Sequence, residues 1–256
     1  MNNVYSISVL MIFSMVLCGY AQNQNEVQRS QIAFFAASSF AQITGDVAQR
    51  LERNTQEQND LLGEDYRFSI DVPNRLGYGF GINYSYGFSQ SIKFTSGLGF
   101  SFFPLSTQVT YQYNDPEFSY DELGFDETTF NFYYVSVPLL IGFQVTPRWN
   151  IEGGVNFNIA LKGLAQATSE TKRDIFINGE IDSEWSIPLT KNSIDIKDEI
   201  NSVVLQYKIS LGYKISDMFN VHLGLFQNLN HITVDNENMN SRGVQLSLRG
   251  NLNNLF

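Results

Sequence analysis

The sequence predicts an all-β fold, a closed antiparallel transmembrane β-barrel of eight strands, and three observations carry that prediction. Segments with an apolar residue at every second position recur down the chain, the period of a strand whose two faces meet different surroundings. Within them, large apolar residues oppose small and polar ones: over 75–88, Leu76, Tyr78, Phe80, Ile82, Tyr84, Tyr86 and Phe88 alternate with Gly77, Gly79, Gly81, Asn83, Ser85 and Gly87. Aromatic residues make up 14% of the chain and charged residues only 16%, a balance expected when one face of many strands meets lipid.

At the start, the apolar run 9–17 followed by Gly19 and Ala21 reads as an export signal cleaved after residue 21. The run is shorter than the roughly 20 residues that cross a bilayer as a helix. Cys18, the only cysteine, lies inside it, so the mature chain is expected to have neither a disulfide nor a thiolate metal site. Residues 22–29 form a short N-terminal segment, and 30–256 are expected to form one barrel domain.

The first candidate strand, 31–41, sets Ile32, Phe34, Ala36 and Phe40 on one side, and a helix is an open alternative because alanine favours it. Residues 44–72 are polar and read as a loop. After the strand at 75–88, Ser89, Gln90 and Ser91 turn the chain into 92–113. There Ile92, Phe94, Leu98, Phe100 and Phe102 alternate with Lys93, Thr95, Gly97, Gly99 and Ser101. Residues 114–127 read as an acidic loop. In the next strand, 128–145, Pro138 has no N–H for the ladder, so a bulge or a locally unpaired site is expected there.

The hairpin at 134–161, YVSVPLLIGFQVTPRWNIEGGVNFNIAL, is joined by Thr146, Pro147, Arg148, Trp149 and Asn150. Its second arm sets Trp149, Ile151, Val155, Phe157, Ile159 and Leu161 outward against Asn150, Glu152, Gly154, Asn156, Asn158, Ala160 and Lys162. Residues 168–201 read as the longest loop, with a hairpin signal at Asn178-Gly179 and flanking strands that rise above the membrane. Strands at 203–215, 221–229 and 244–252 complete the series. Loops alternate long and short, which places both termini on one side of an eight-stranded barrel with short periplasmic turns.

Charge follows the same division. Residues 44–72, 114–127 and 168–201 hold seven acidic against three basic residues, six against none, and eight against four, although the whole chain is only −10. The body is therefore slightly basic and the loops carboxylate-rich, which excludes a nucleic-acid-binding surface.

From about residue 75 to 256 the chain resembles the PorT-like outer-membrane β-barrel family (outer membrane protein beta-barrel domain), on YVSVPLLIGFQ, its short turn and IEGGVNFNIAL. The resemblance implies the barrel fold and an outer-membrane location in a Gram-negative bacterium. The terminal Phe256 after alternating apolar residues resembles the signal read by the barrel-assembly machinery, a partner during biogenesis. No catalytic or ligand residue is carried over.

An eight-stranded barrel is about wide enough to be filled by side chains, so charges inside must pair. Glu152 shares the inward register with Lys93, Lys208 and Arg249. Two readings stay open, a salt-bridge cluster that rigidifies a filled lumen and a switchable pair gating a narrow pore. His222 and His231 stand at opposite ends of one predicted strand, too far apart to share a metal. His231 with Ser241 or Asp235 is the one candidate set for a lipid-modifying enzyme, against a solvated loop histidine. Asp121, Glu122, Asp126 and Glu127 could attract a hard cation, but their spacing is that of a solvated charged loop. No cofactor is implied. The expected role is non-enzymatic, with outer-membrane lipid around the barrel and another envelope protein contacted through the loops. A narrow porin-like channel is the alternative, and a membrane-embedded hydrolase or acyltransferase a third.

Overall fold

The computed structural model describes residues 30–62, 66–89, 91–115, 120–177, 180–234 and 238–252. The export signal, Phe256, Asp235 and the Asn178-Gly179 turn lie outside the described residues. Eight strands form a ring: β1 (Ser30–Gly45), β3 (Arg75–Gly87), β4 (Ile92–Asp115), β5 (Tyr120–Gln144), β6 (Trp149–Ile177), β8 (Val203–Lys214), β9 (Phe219–Asn228) and β10 (Met239–Asn251). Each pairs antiparallel with the next, and β10 pairs with β1 from Gly45↔Met239 to Ala33↔Asn251, so the sheet closes on itself. Residues 31–41 are thus strand and not helix. Both edges of this strand are paired, one with β10 and the other with β3.

The faces are inverted relative to a water-soluble protein. Phe80 and Ile209 are each 56% exposed on the outside, whereas inward Thr95 and Glu152 are 0% and 1% exposed. Such an exterior is stable only against hydrocarbon. Inside, the glycines of β3 and β4 make room for a ring: a Cβ on Gly81 would lie 2.8 Å from Phe35 Cε1, and one on Gly99 2.6 Å from its Cζ.

The three short turns share one construction. Ser89, Thr146 and Ser216 each stand two residues past the strand end, and each hydroxyl accepts from the backbone N–H groups two and three residues on. Those donors would otherwise lack a partner at the tight bend.

Pro138 interrupts a ladder without shifting it. The β4–β5 register runs Ser96↔Leu139, skips two positions and resumes in phase at Gly99↔Ser136. A true shift lies instead at Tyr133/Tyr134 on the β5–β6 side, where Tyr133 pairs Lys162 and Tyr134 pairs Ala160, leaving Leu161 as the extra residue. This bulge reverses the facing of β6. Lys162, expected inward, is exposed, and Gly163 turns in against Ile196 and Ile200.

The segments expected to be loops are largely ordered. Residues 44–72 contain helix α1 (Asp46–Leu62) and strand β2 (Tyr66–Asp71), which extends the sheet along β4. Gly45, at φ 94°, makes the sharp exit from β1 into α1. Val47, Ala48 and Leu51 seat the helix on the barrel mouth, and Asn59 anchors its far end by exchanging two hydrogen bonds with the backbone of Phe68 (3.0 and 2.7 Å). Residues 114–127 belong mostly to the ends of β4 and β5, and 168–201 to β6, β7 (Glu180–Asp195) and a short 3-10 turn at Lys197–Glu199. A transmembrane strand needs roughly 9–11 residues. At 24, 25 and 29 residues, β4, β5 and β6 far exceed that, and with β7 they build a wall beyond the membrane.

Candidate functional site in the barrel lumen

The lumen is filled in three layers. At the long-hairpin end lies an apolar plug of Phe103, Leu105, Phe132, Ile196, Ile200, Ile232 and Met239, with Val47 of α1 above it. Mid-lumen is polar: Ser101 and Ser136 share a hydrogen bond (2.7 Å), Ser136 donates to Asn158 (2.7 Å), and a cavity of about 40 Å³ beside them has room for ordered water and nothing larger. Nearest the short turns is a charged layer.

That layer is built from register. Lys93 on β4, Gly142 on β5 and Glu152 on β6 stand side by side in one row. Because Gly142 has no side chain, Lys93 reaches across it to Glu152, Nζ to Oε1 2.7 Å. A Cβ at Gly142 would meet Lys93 Cε at 2.7 Å and Glu152 Cγ at 3.1 Å. From β10, Arg249 Nη1 approaches Glu152 Oε2 at 2.7 Å, and from β9 His222 Nδ1 stands 3.7 Å from the same oxygen. Gly212 leaves the space that His222 fills, since a Cβ there would lie 2.6 Å from His222 Cε1. A single fully buried carboxylate therefore joins four strands.

Of the four residues expected to cluster, the structure brings Glu152, Lys93 and Arg249 into contact. Lys208 is buried a step further along the axis and donates to Gln245. His222 is the member that sequence reasoning set apart. Its inward parity was readable, but its level against Glu152 follows only from the pairings through β8. At the rim, Arg75 forms an ion pair with Glu127, so that carboxylate of the acidic segment is engaged by a cation. His231 is exposed while Ser241 is fully buried, and no metal-binding group of histidine, cysteine and carboxylate residues occurs among the described residues.

The family model described as outer membrane protein beta-barrel domain matches residues 20–234. The chain belongs to that family. Membership places this barrel in the outer membrane of a Gram-negative bacterium. Among solved structures it is similar to neisserial surface protein A, at 10% identity over 86% of this chain and 97% of that one, TM-score 0.33. It is also similar to Ail, the attachment invasion locus protein of Yersinia pestis, solved with the heparin analogue sucrose octasulfate (11%, 87% and 99%, TM-score 0.35). A third is the outer membrane protein OprG from Pseudomonas aeruginosa (13%, 88% and 97%, TM-score 0.25). No curated protein matches the chain.

Proposed function

We propose that this family member is a non-enzymatic barrel of the PorT-like kind, exported by a signal at residues 1–21, whose long-hairpin end faces outward and contacts another envelope protein. The observation that carries this reading is the excess length of β4, β5 and β6 over what a membrane requires. Ordered sheet held beyond the bilayer on a rigid scaffold is a surface suited to recognition, and its sequence is rich in carboxylates. Photo-crosslinking from residues within 114–127 and 168–201 in intact cells is expected to capture a defined envelope protein. A barrel trimmed of both hairpin tips that kept every crosslinked partner and every phenotype would refute the reading.

A narrow channel is the second reading, and one observation favours it: the Lys93 side chain keeps 28% exposure while its partner Glu152 has none, so the charged layer touches solvent at the short-turn mouth. Removing the carboxylate in Glu152→Ala would then raise single-channel conductance in planar bilayers. An unchanged trace rejects a gate. The full burial of Ser241 beside an exposed His231 weighs against a lipid-modifying enzyme, whose nucleophile must be reachable by substrate.

A further inference from the structure

A second cavity, of about 310 Å³, lies between helix α1 and the apolar plug. The helix roofs it with Val47 and Leu51, β5 walls it with Phe130 and Phe132, and the segment entering the 3-10 turn adds Ile196. Ile200 and Met239, 3% and 4% exposed, join Phe132 as its floor. Ordered water needs about two to four polar partners, which so apolar a lining does not supply, and a dry cavity of about half this volume accommodates benzene. The space therefore suits a compact molecule of roughly ten carbon atoms.

Its polar features are few, and each has a definite place. Thr107 on β4 and Thr128 on β5 are direct partners, one inward step beyond the pair Leu105 and Phe130, and give the lining two adjacent hydroxyls. Arg50 on α1 and Glu199 on the 3-10 turn also line the cavity, and both are exposed, so it meets water on their side. Opposite charges at one opening leave no net charge to hold an ion. On the barrel side Leu105 and Phe132 are fully buried, so the plug stops a molecule here and passes none. Since α1 is seated on the barrel by a narrow apolar stripe, a molecule filling the space beneath it adds to that seat.

We propose that this pocket binds one compact, neutral molecule of roughly ten carbon atoms from the water at the long-hairpin end, its apolar body on Phe130 and Ile196, its one oxygen on Thr107 and Thr128, and α1 closed over it. Equilibrium dialysis of the full chain in lipid nanodiscs, with empty nanodiscs as the blank, tests the proposal with 2-naphthol, naphthalene and 2-naphthoate as separate probes. 2-Naphthol is expected to be retained saturably at one molecule per barrel. Naphthalene, which lacks the oxygen, should bind about threefold or more weakly, and the anionic 2-naphthoate at least roughly tenfold more weakly. With 2-naphthol bound, trypsin should cut at Arg50 and Arg53 at least several-fold more slowly. Thr128→Phe, which places a ring in the space, should lose about tenfold in affinity for 2-naphthol. Thr107→Val together with Thr128→Val keeps the shape of the pocket and should bring 2-naphthol down to the level of naphthalene. No saturable retention above the blank, as when a lipid tail already occupies the pocket, would overturn the proposal. So would 2-naphthoate binding as tightly as 2-naphthol, undiminished retention by Thr128→Phe, a preference for 2-naphthol that survives both valines, or cleavage in α1 that the probe does not slow.

Discussion

At the scale of single residues, the charged layer depends on a glycine as much as on charges. Glu152 is fully buried, and its carboxylate is offset by Lys93 and Arg249. Replacing it leaves two cations inside without an anion, and breaking a buried pair typically costs about 3–5 kcal/mol. Glu152→Gln is expected to lower the free energy of unfolding in lipid vesicles by that order, seen as a lower urea midpoint by tryptophan fluorescence. Gly142→Leu should destabilise comparably although it removes no charge, because its side chain occupies the space through which Lys93 reaches. A Gly142→Leu barrel as stable as wild type would mean that the pair is not held in this geometry. Inward parity alone placed Glu152, Lys93, Lys208 and Arg249 in the lumen, but not which of them meet: Lys93 and Arg249 reach Glu152, and Lys208 pairs with Gln245 instead. The place of His222 was not legible, because parity says which way a side chain points and only the chain of pairings says which others it meets.

At the scale of elements, legibility ends where the membrane ends. Inside the bilayer the two faces of a strand differ in solvent, so apolar and small residues alternate and the eight strands can be read. Beyond it both faces are wet and the contrast fades, so the last two residues of β4, the first eight of β5 and the last ten of β6 read as acidic loop. Helix α1 was hidden for a related reason. Its contact face is the narrow stripe of Val47, Ala48, Leu51, Thr55 and Asn59, with only three apolar residues. The signal that could have found it is composition, since Ala, Gln, Arg, Leu and Glu dominate its sequence and all favour helix. Because that stripe is so slender, Leu51→Asp is expected to release the helix while the ring stays closed. Trypsin should then cut at Arg50 or Arg53 at least several-fold faster, with the barrel's compact migration on unheated gels unchanged. Gly45→Ala should weaken the same exit, at about 1–2 kcal/mol for the left-handed backbone, plus a collision with the carbonyl of Asn238.

For the whole molecule, the ring and the outer wall are separable. Within 149–159, β6 pairs with β8, whereas its pairing with β7 begins only at Leu164. Replacing the outer part of the β6–β7 hairpin by a short turn is therefore expected to leave the eight-stranded ring folded, with β-sheet circular dichroism and heat-modifiable gel mobility retained. Loss of both would show that the wall is needed for closure. The pairing of β1 with β10 has a temporal consequence. These neighbours stand about as far apart along the polypeptide as two strands here can, so the seam cannot zip until nearly all the chain has been delivered. Until then, two rows of amide groups would face oil without partners, an energetically forbidding state. Insertion of this barrel is thus tied to the arrival of β10, and a chain halted before Met239 has no route to a sealed wall.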